Sequence, residues 1–390
     1  MDREMDVQER KKEKVERHTD VSLWFALLFL IGFGMVMIYS ASSYSAFTDY
    51  NDQAYYLKRQ AIACGIGLVV MVIVSRIPYH FWERFSLLGY FLSMGLILLV
   101  KTPLGVSSHN ATRWIKVPGL KGFNLQPAEV AKLAMILFLA VAICKMGNTV
   151  KTWKGFFFMM LSPAPVALMI WKITDNLSSA LIVMAISALM VFVASPDYKK
   201  FIAFAACAVA AAGGLMLIIL KTNLLDGFRA TRIRTWLNPE QYADDSGFQT
   251  LQALYAIGSG GFWGKGLGQS MQKLSFLPES QNDMIFSIIC EELGLGGAFA
   301  IVLMFLILIW RMSIVANNAS DLFGGMLVVG VIGHVAVQAV LNIAVVTNTI
   351  PNTGISLPFI SYGGSSVIFL LIEMGLVFSV ARGIEYKGNV

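Results

Sequence analysis

Long apolar runs, separated by short polar segments, dominate the chain from residue 21 onward. A helix that crosses a lipid bilayer needs about 20 mostly apolar residues. Ten stretches approach or reach this length, and we predict that each forms a membrane-spanning helix. They cover about residues 21–40, 61–77, 85–101, 129–146, 155–173, 178–196, 201–220, 284–309, 323–346 and 365–383.

Basic residues are concentrated in every second polar segment, which predicts the orientation of the chain. Short loops that stay in the cytoplasm carry an excess of Lys and Arg. We therefore predict that both termini are cytoplasmic, which requires an even number of spans and agrees with ten. The residues are Arg3, Arg10, Lys11, Lys12, Lys14, Arg17, Arg76, Arg84, Lys145, Lys151, Lys154, Lys199, Lys200, Arg311, Arg382 and Lys387.

The composition excludes a soluble enzyme. Hydrophobic residues make up 56% of the 390 residues, and charged residues make up 14%, against about 25% charged in soluble domains. The mean hydropathy is +0.66. We predict an all-α polytopic integral membrane protein with one transmembrane domain over residues 21–385. The mixed charges of residues 1–20 predict a disordered or lipid-associated cytoplasmic tail, and residues 386–390 form a cytoplasmic end.

Two long polar segments face outward in this topology. They cover about residues 102–128 and 221–283, and the second lies between helices 7 and 8. Arg229 and Arg232 lie just beyond a membrane exit, and clustered arginines suit a phosphate or diphosphate. The alternative is a solvated loop face or contact with lipid headgroups.

Asp283 is the last acidic residue before an apolar helix begins near Met284. In one interpretation it caps that helix. In the other, it is a carboxylate at the edge of a low-dielectric cavity, where its pKa would rise and it could take a proton from a hydroxyl. The two roles are compatible.

Glu129 and Lys132 lie in the first turns of another predicted span, after Pro127. A charge inside a span costs about 2.5–3.5 kcal/mol on insertion scales, so Lys132 needs a partner or a wet cavity. The two residues are three apart and can pair, and either a structural or a functional pair fits. Gln338 and Asn342 are four apart on one helix face, and we predict that they hydrogen-bond between helices.

The four cysteines, Cys64, Cys144, Cys207 and Cys290, all lie in apolar runs without a CxxC pair. We interpret them as small buried hydrophobic residues in helices, and we predict neither a disulfide nor a zinc site.

One long motif reads Pro351-x-Thr353-Gly354-x-x-Leu357-Pro358-Phe359-x-Ser361-Tyr362-Gly363-Gly364-Ser365-Ser366. Shorter motifs are Tyr39-Ser-Ala-Ser42, Arg113-Trp-Ile115, Gln126-Pro-Ala-Glu129 with Lys132, Phe228-Arg229 with Arg232, Asn238-Pro239, Gln249-x-x-Gln252, Gly264-x-Gly266-Leu-Gly268, Leu277-Pro-Glu279 with Asp283, and Glu291-Glu-Leu-Gly294. Together these motifs resemble the SEDS family (shape, elongation, division and sporulation), which includes FtsW, RodA and SpoVE. The resemblance covers about residues 20–385, and the first helix is more similar to FtsW than to RodA.

The resemblance implies a peptidoglycan glycosyltransferase of the bacterial cytoplasmic membrane with an outward active site. Its substrate would be lipid II, an undecaprenyl-diphosphate disaccharide-pentapeptide. Its partners would be a class B penicillin-binding protein and other division or elongation membrane proteins, and nucleic acid is not expected. The position of Asp283 is the family's essential acid. Substrate-binding candidates are Glu129, Lys132, Arg229, Arg232, Arg113, Gln252, Ser361 and Ser365.

Glycosyl transfer needs a base near the acceptor hydroxyl and a cationic clamp on the leaving diphosphate. Asp283 is the candidate base, and Arg229, Arg232, Lys132 and Arg113 are candidates for the clamp. We expect direct displacement with inversion. A divalent cation, Mg²⁺ or Mn²⁺, on the diphosphate is compatible with this chemistry, although no metal-ligand cluster in the sequence demands one.

Two other classes of protein stay open at this point: a lipid II flippase and a non-catalytic scaffold of the division or elongation complex. One position departs from the family pattern, since Asn176 stands where the family often has an Asp. Any ionic role at that position is therefore in doubt.

Overall fold

The computed structural model describes residues 20–108, 111–117, 124–195, 197–221, 228–243, 247–274 and 276–384. The predictions for the N-terminal tail and for residues 386–390 lie outside the described residues, apart from Asp20. That residue accepts a hydrogen bond from Leu23 N at 3.1 Å, which caps the first helix.

Helices form most of the described chain, as the apolar runs predict. A backbone in lipid must satisfy its own hydrogen bonds, and a helix does so within one segment. The helices are α1 Val21–Tyr50, α2 Tyr55–Arg76, α3 His80–Glu83, α4 Ser86–Leu99, α5 Pro127–Met146, α6 Trp153–Leu161, α7 Ala164–Ile173, α8 Leu177–Ala194, α9 Tyr198–Lys221, α10 Phe228–Leu237, α11 Phe248–Gly260, α12 Ile285–Asn317, α13 Leu322–Val346 and α14 Gly364–Arg382.

Eight helical segments of the described chain are long and apolar enough to cross a membrane. The predicted run 85–101 forms the shorter helix α4, and the run 155–173 is divided between α6 and α7. Pro163 is the N-cap of α7, where its missing N–H and its ring end the preceding helix. The run 201–220 lies within α9. The total of ten spans stays a prediction.

A small antiparallel sheet occupies part of the first outside segment, where the sequence predicted only a loop. Its strands are β1 Gly105–Ser108, β2 Ala111–Lys116 and β3 Asn124–Leu125, in the order β1-β2-β3. Ile115 in β2 pairs with both Gly105 and Leu125, and its side chain is buried. This sheet carries Arg113.

Helices α2 and α14 pack closely against each other in the interior. A Cβ built at Gly375 would lie 2.8 Å from Met71 O, and one built at Gly67 would lie 2.5 Å from Leu371 Cδ1. In lipid, helices associate through such close packing at small residues. Helix α14 is thereby fixed beside the loop that precedes it.

Helix α12 is broken at Gly294, whose backbone has φ +69° and ψ −171°. Two fully buried carboxylates precede the break. Glu291 pairs with Lys265 at 2.7 Å, and Glu292 pairs with Lys273 at 2.9 Å. These pairs hold the glycine-rich part of the large outside segment against the start of α12, and thus against the segment that contains Asp283.

Candidate active site

Asp283 lies in the turn before α12, but it does not cap the helix. The N-cap residue is Met284, and no side chain makes a cap hydrogen bond there. The Asp283 side chain is half-buried. Its Oδ1 atom is buried and receives no hydrogen bond from a described residue. The structure therefore contradicts the capping interpretation, and the buried Oδ1 atom agrees with a carboxylate in low-dielectric surroundings.

The surroundings of Asp283 raise its pKa from 3.8 to about 7. The main cause is burial, which disfavours the charged form. The nearby carboxylate of Glu279 raises the pKa further, while the positive charge of Arg232 lowers it. A carboxylate with a pKa near neutrality suits general-base chemistry, because it accepts a proton readily and still ionises at working pH.

The loop at residues 347–363, which contains most of the long family match, contacts the Asp283 segment. The Ser361 hydroxyl donates to Asn282 O at 2.6 Å and accepts from Leu357 N at 2.7 Å. Tyr362 N donates to Gln281 O at 2.9 Å. Ser361 is only 5% exposed, and its hydrogen bonds hold the Asp283 segment in place. Its role as a substrate ligand stays a prediction.

Asn342 of α13 connects the Asp283 segment to the 347–363 loop. Its Nδ2 atom donates to Asp283 O at 2.7 Å and to Ile355 O at 2.6 Å. Its side chain is fully buried in α13. The sequence prediction of an interhelical bond was therefore wrong for Asn342, which bonds the backbone of two loops. Amide groups buried beside irregular backbone commonly satisfy such carbonyls.

Two arginines, Arg232 and Arg113, interact electrostatically with Asp283. Arg232 Nη1 donates to Asn352 O at 3.2 Å, and Arg113 Nη2 donates to Asp175 O at 3.3 Å. Burial lowers the pKa of Arg113, whereas the charges of Asp175 and Asp283 raise it. Arg229 belongs to α10, but its side chain lies outside the described residues. A carboxylate that interacts electrostatically with two guanidinium groups can serve a reaction in which a hydroxyl loses a proton and an anion departs.

Glu129 and Lys132 form a buried ion pair of 2.8 Å. Glu129 is 4% exposed and Lys132 is 1% exposed. Lys132 also donates to Gln338 Oε1 at 3.1 Å, so the predicted bond of Gln338 to another helix is confirmed. Glu129 and Gln338 therefore cover the ammonium group of Lys132 in this structure, and its contact with a diphosphate stays a prediction.

Three further predicted positions have specific places in the fold. Gln252 is half-buried on α11, but it is Gln249 that accepts from Asn352 Nδ2 at 2.8 Å and donates to Pro278 O at 3.2 Å. Ser365 is buried in the first turn of α14. Asn176 caps α8 by accepting from Ser179 N at 3.0 Å, which an amide does as well as a carboxylate.

The sequence analysis missed a buried pair between His334 and Glu373. His334 Nδ1 lies 2.7 Å from Glu373 Oε2. A usable signal was present, because His334, Gln338 and Asn342 repeat every four residues on α13. That spacing places three polar groups on one helix face.

No metal site is formed by the part of the chain that the structure describes, since no three or more His, Cys, Asp or Glu side chains cluster there.

The cysteines are dispersed. Cys64 and Cys290 are buried, Cys144 is half-buried and Cys207 is exposed. The prediction that all four are buried was therefore wrong for Cys207, because an apolar helix in lipid also has an outward face.

Comparison with known proteins identifies the family. The profile of the FtsW, RodA and SpoVE family, described as cell cycle protein, matches residues 21–386. The chain belongs to this family. It is 36% identical to the probable peptidoglycan glycosyltransferase FtsW of Trichlorobacter lovleyi, over 94% of both chains. It is also 36% identical to the stage V sporulation protein E of Bacillus subtilis, over 94% of this chain and 98% of that one.

Two solved structures share the fold. A chain from a peptidoglycan synthase complex that coordinates polymerisation and crosslinking superposes with a TM-score of 0.75 at 25% identity. The rod shape determining protein RodA of Thermus thermophilus superposes with a TM-score of 0.64 at 24% identity. Each match covers 94% of this chain and 98% of the other.

Proposed function

We propose that this chain is a peptidoglycan glycosyltransferase that polymerises lipid II into glycan strands. The observation that carries the proposal is Asp283, a half-buried carboxylate with a pKa near 7. The loop that bears the family's longest motif holds it in place. The proposal is supported by relatives whose name is peptidoglycan glycosyltransferase.

In the proposed reaction, Asp283 takes the proton from the 4-hydroxyl of a lipid-linked acceptor sugar. The oxygen attacks the anomeric carbon of the donor, the bond from that carbon to the diphosphate breaks, and the configuration inverts. Arg232 and Arg113 stabilise the charge that develops on the leaving diphosphate. Lys132 is assigned a supporting role, because it is covered by Glu129 and Gln338.

A divalent cation, Mg²⁺ or Mn²⁺, would add Lewis-acid stabilisation of the diphosphate. The described residues offer no cluster of three ligands, so such an ion would be held mainly by the substrate. Activity measured with EDTA and then with added Mg²⁺ or Mn²⁺ tests this requirement.

We also propose that the active site faces outward from the bacterial cytoplasmic membrane, and that the chain works beside a class B penicillin-binding protein. The support is the alternation of basic loops and the likeness to a chain of a synthase complex. In a variant with Cys207→Ser, a cysteine at Ser246 should react with a membrane-impermeant thiol reagent in intact cells whose outer envelope admits it. A cysteine at Asn317 should react only after permeabilisation. The reverse labelling pattern would invert the topology and refute the outward site.

The direct test is polymerisation of purified lipid II by the purified chain, with and without the partner transpeptidase. Glycan strands formed by the wild type and lost in Asp283→Asn support the enzyme. A chain that moves lipid II across vesicles but forms no strands is a flippase. A chain that does neither, yet still binds its partner, is a scaffold.

A further inference from the structure

Three polar residues of α13 form a continuous line inside the membrane domain. We call His334, Gln338 and Asn342 the α13 polar ladder. Each is at most 2% exposed, in a helix that is apolar enough to span a bilayer. Polar groups at such depth are costly unless they have specific partners, and here Gln338 and Asn342 bond the loop and the segment around Asp283.

The direction of each hydrogen bond in this line can be deduced from Lys132. An ammonium group only donates, so the atom of Gln338 that lies 3.1 Å away is an acceptor, Oε1. Gln338 Nε2 therefore donates to Ser356 O at 3.0 Å. His334 Nε2 lies 2.9 Å from the same Oε1 atom, so this ring nitrogen must carry a proton.

The other ring nitrogen of His334 faces Glu373. Nδ1 is 2.7 Å from Glu373 Oε2, and both residues are fully buried. One proton lies between these atoms. The pair is either an imidazolium with a carboxylate or a neutral imidazole with a carboxylic acid. In both forms Nε2–H still points at Gln338, so the hydrogen-bond direction does not depend on where that proton resides.

Gln338 transmits this arrangement to the candidate active site. Its bond to Ser356 O fixes the 347–363 loop one residue after Ile355. Ile355 O and Asp283 O share the same donor, Asn342 Nδ2. Loss of the Gln338 orientation would therefore displace the backbone that holds Asp283.

We propose that His334 and Glu373 are positioning residues for the glycosyl transfer reaction. Glu373 keeps the His334 ring oriented, His334 keeps the Gln338 amide in one orientation, and that amide keeps the loop against the Asp283 segment. Neither residue touches the substrate. The inference rests on the proposed function, since it assigns these residues to the same reaction.

Orientation and charge can be separated by substitution. Glu373→Gln removes the charge, but the new amide can donate to Nδ1 while Nε2–H still donates to Gln338. We expect kcat for lipid II polymerisation to stay within about threefold of the wild type. The double variant His334→Leu/Glu373→Met removes the pair without leaving an unpaired buried charge. A misplacement of about 1 Å can cost about 100-fold, so we expect kcat to fall about tenfold to 100-fold with KM nearly unchanged.

The matched control is His80→Gln. His80 also contacts a carboxylate, Asp321 Oδ2, at 2.6 Å, but it is an exposed residue at the start of α3, and Asp321 caps the first turn of α13, well before the ladder begins. We expect wild-type kcat and KM for this variant. Circular dichroism and thermal unfolding of all variants report whether each one folds.

A readout independent of activity is solid-state nitrogen NMR of ¹⁵N-histidine-labelled protein in lipid bilayers. His18, His80 and His109 are replaced by Gln, so that only His334 reports. We expect Nε2 to be protonated in this background, and to stay protonated after Glu373→Gln. The NMR measurement does not depend on activity. If the wild type formed no glycan strands, the proposed function would fail, but the direction of the His334 hydrogen bond could still be determined.

Three results would overturn the positioning role. The first is an unprotonated Nε2, since that atom could not donate to Gln338. The second is a folded double variant with wild-type kcat. The third is a Glu373→Gln variant that loses as much kcat as the double variant, because charge and not orientation would then matter. If the double variant does not fold, the NMR result and Glu373→Gln still decide.

Discussion

Replacement of Asp283 by Asn isolates the proposed base with almost no change in shape. The carboxylate becomes an amide that cannot take a proton from a hydroxyl. Loss of a general base costs about 10²–10⁴-fold in rate, and we expect a fall of that size in the initial rate of lipid II polymerisation. Helix α12 is not at risk, because no side chain caps it.

The pH dependence follows from the raised pKa of Asp283. The base acts in its ionised form, so the wild-type rate should rise with pH until about pH 7 and then level off. The residual rate of Asp283→Asn should lack this rise. A wild-type rate that is flat between pH 5 and about pH 9 would contradict the assignment of Asp283 as the titrating base.

The same substitution has a consequence for stability. A carboxyl group whose pKa is raised on folding favours the folded state at low pH, and this contribution disappears as the pH rises from 3.8 to about 7. A tenfold change in proton affinity corresponds to about 1.36 kcal/mol. Ionisation of Asp283 therefore lowers the free energy of unfolding of the wild type by at most about 4 kcal/mol. Asn does not ionise, so Asp283→Asn should be more stable than the wild type at pH 8.

The assay compares wild type, Asp283→Asn and the control Asp52→Asn in the same detergent or bilayer. Asp52 is a partly exposed carboxylate that pairs with Lys58 at 2.7 Å and accepts from Ala54 N at 3.1 Å. Because an exposed ion pair contributes about 1 kcal/mol or less, its replacement should leave the rate unchanged and change the stability little. Near-wild-type polymerisation by a folded Asp283→Asn would refute the base role. An equal stability of this variant and the wild type at pH 8 would refute the raised pKa.

Three further outcomes are expected. Arg232→Ala should lower kcat/KM for lipid II about tenfold to 100-fold, since a charge-assisted hydrogen bond contributes about 1.5–3 kcal/mol. Lys199→Ala, at a predicted cytoplasmic loop, should leave kcat/KM unchanged. Equal kcat/KM values for the two variants would contradict a role of Arg232 in binding the diphosphate. Glu292→Ala leaves Lys273 buried without its ion pair and should reduce the free energy of unfolding by about 3–5 kcal/mol, and a thermal unfolding curve that matches the wild type would contradict this. Gly294→Ala should prevent stable folding, because the backbone has φ +69° and the new Cβ would lie 2.4 Å from Phe262 O; normal yield of a folded protein in detergent would contradict the close approach.

The sequence by itself determined where the long apolar helices lie, but not α10 and α11, which lie in the polar outside segment 221–283. Lipid leaves the backbone without water as a partner, so an apolar run must form a helix whatever its neighbours are. Even the break between α6 and α7 is local, since Pro163 cannot continue the preceding helix. The sequence alone also identified Asp283 as a candidate, because it is the last acidic residue before an apolar helix.

Only the tertiary structure decided what each polar residue contacts. Lys132 was predicted either to bind an anion or to pair with Glu129, and the burial of its ammonium group beside Gln338 favours the second role. Ser361 was predicted as a substrate ligand, and the structure adds a bond from its hydroxyl to Asn282 O beside Asp283, which the sequence did not reveal. These contacts join residues far apart in the chain, and periodicity contains no information on such partners.

The His334 and Glu373 pair shows the physical reason most directly. The residues are 39 positions apart on different helices, and each alone is only an unfavourable polar group in an apolar run. They form a pair only because α13 packs against α14, which brings His334 Nδ1 and Glu373 Oε2 within hydrogen-bonding distance and excludes water. A sequence specifies that packing through the sum of many side-chain contacts, and no single motif records it.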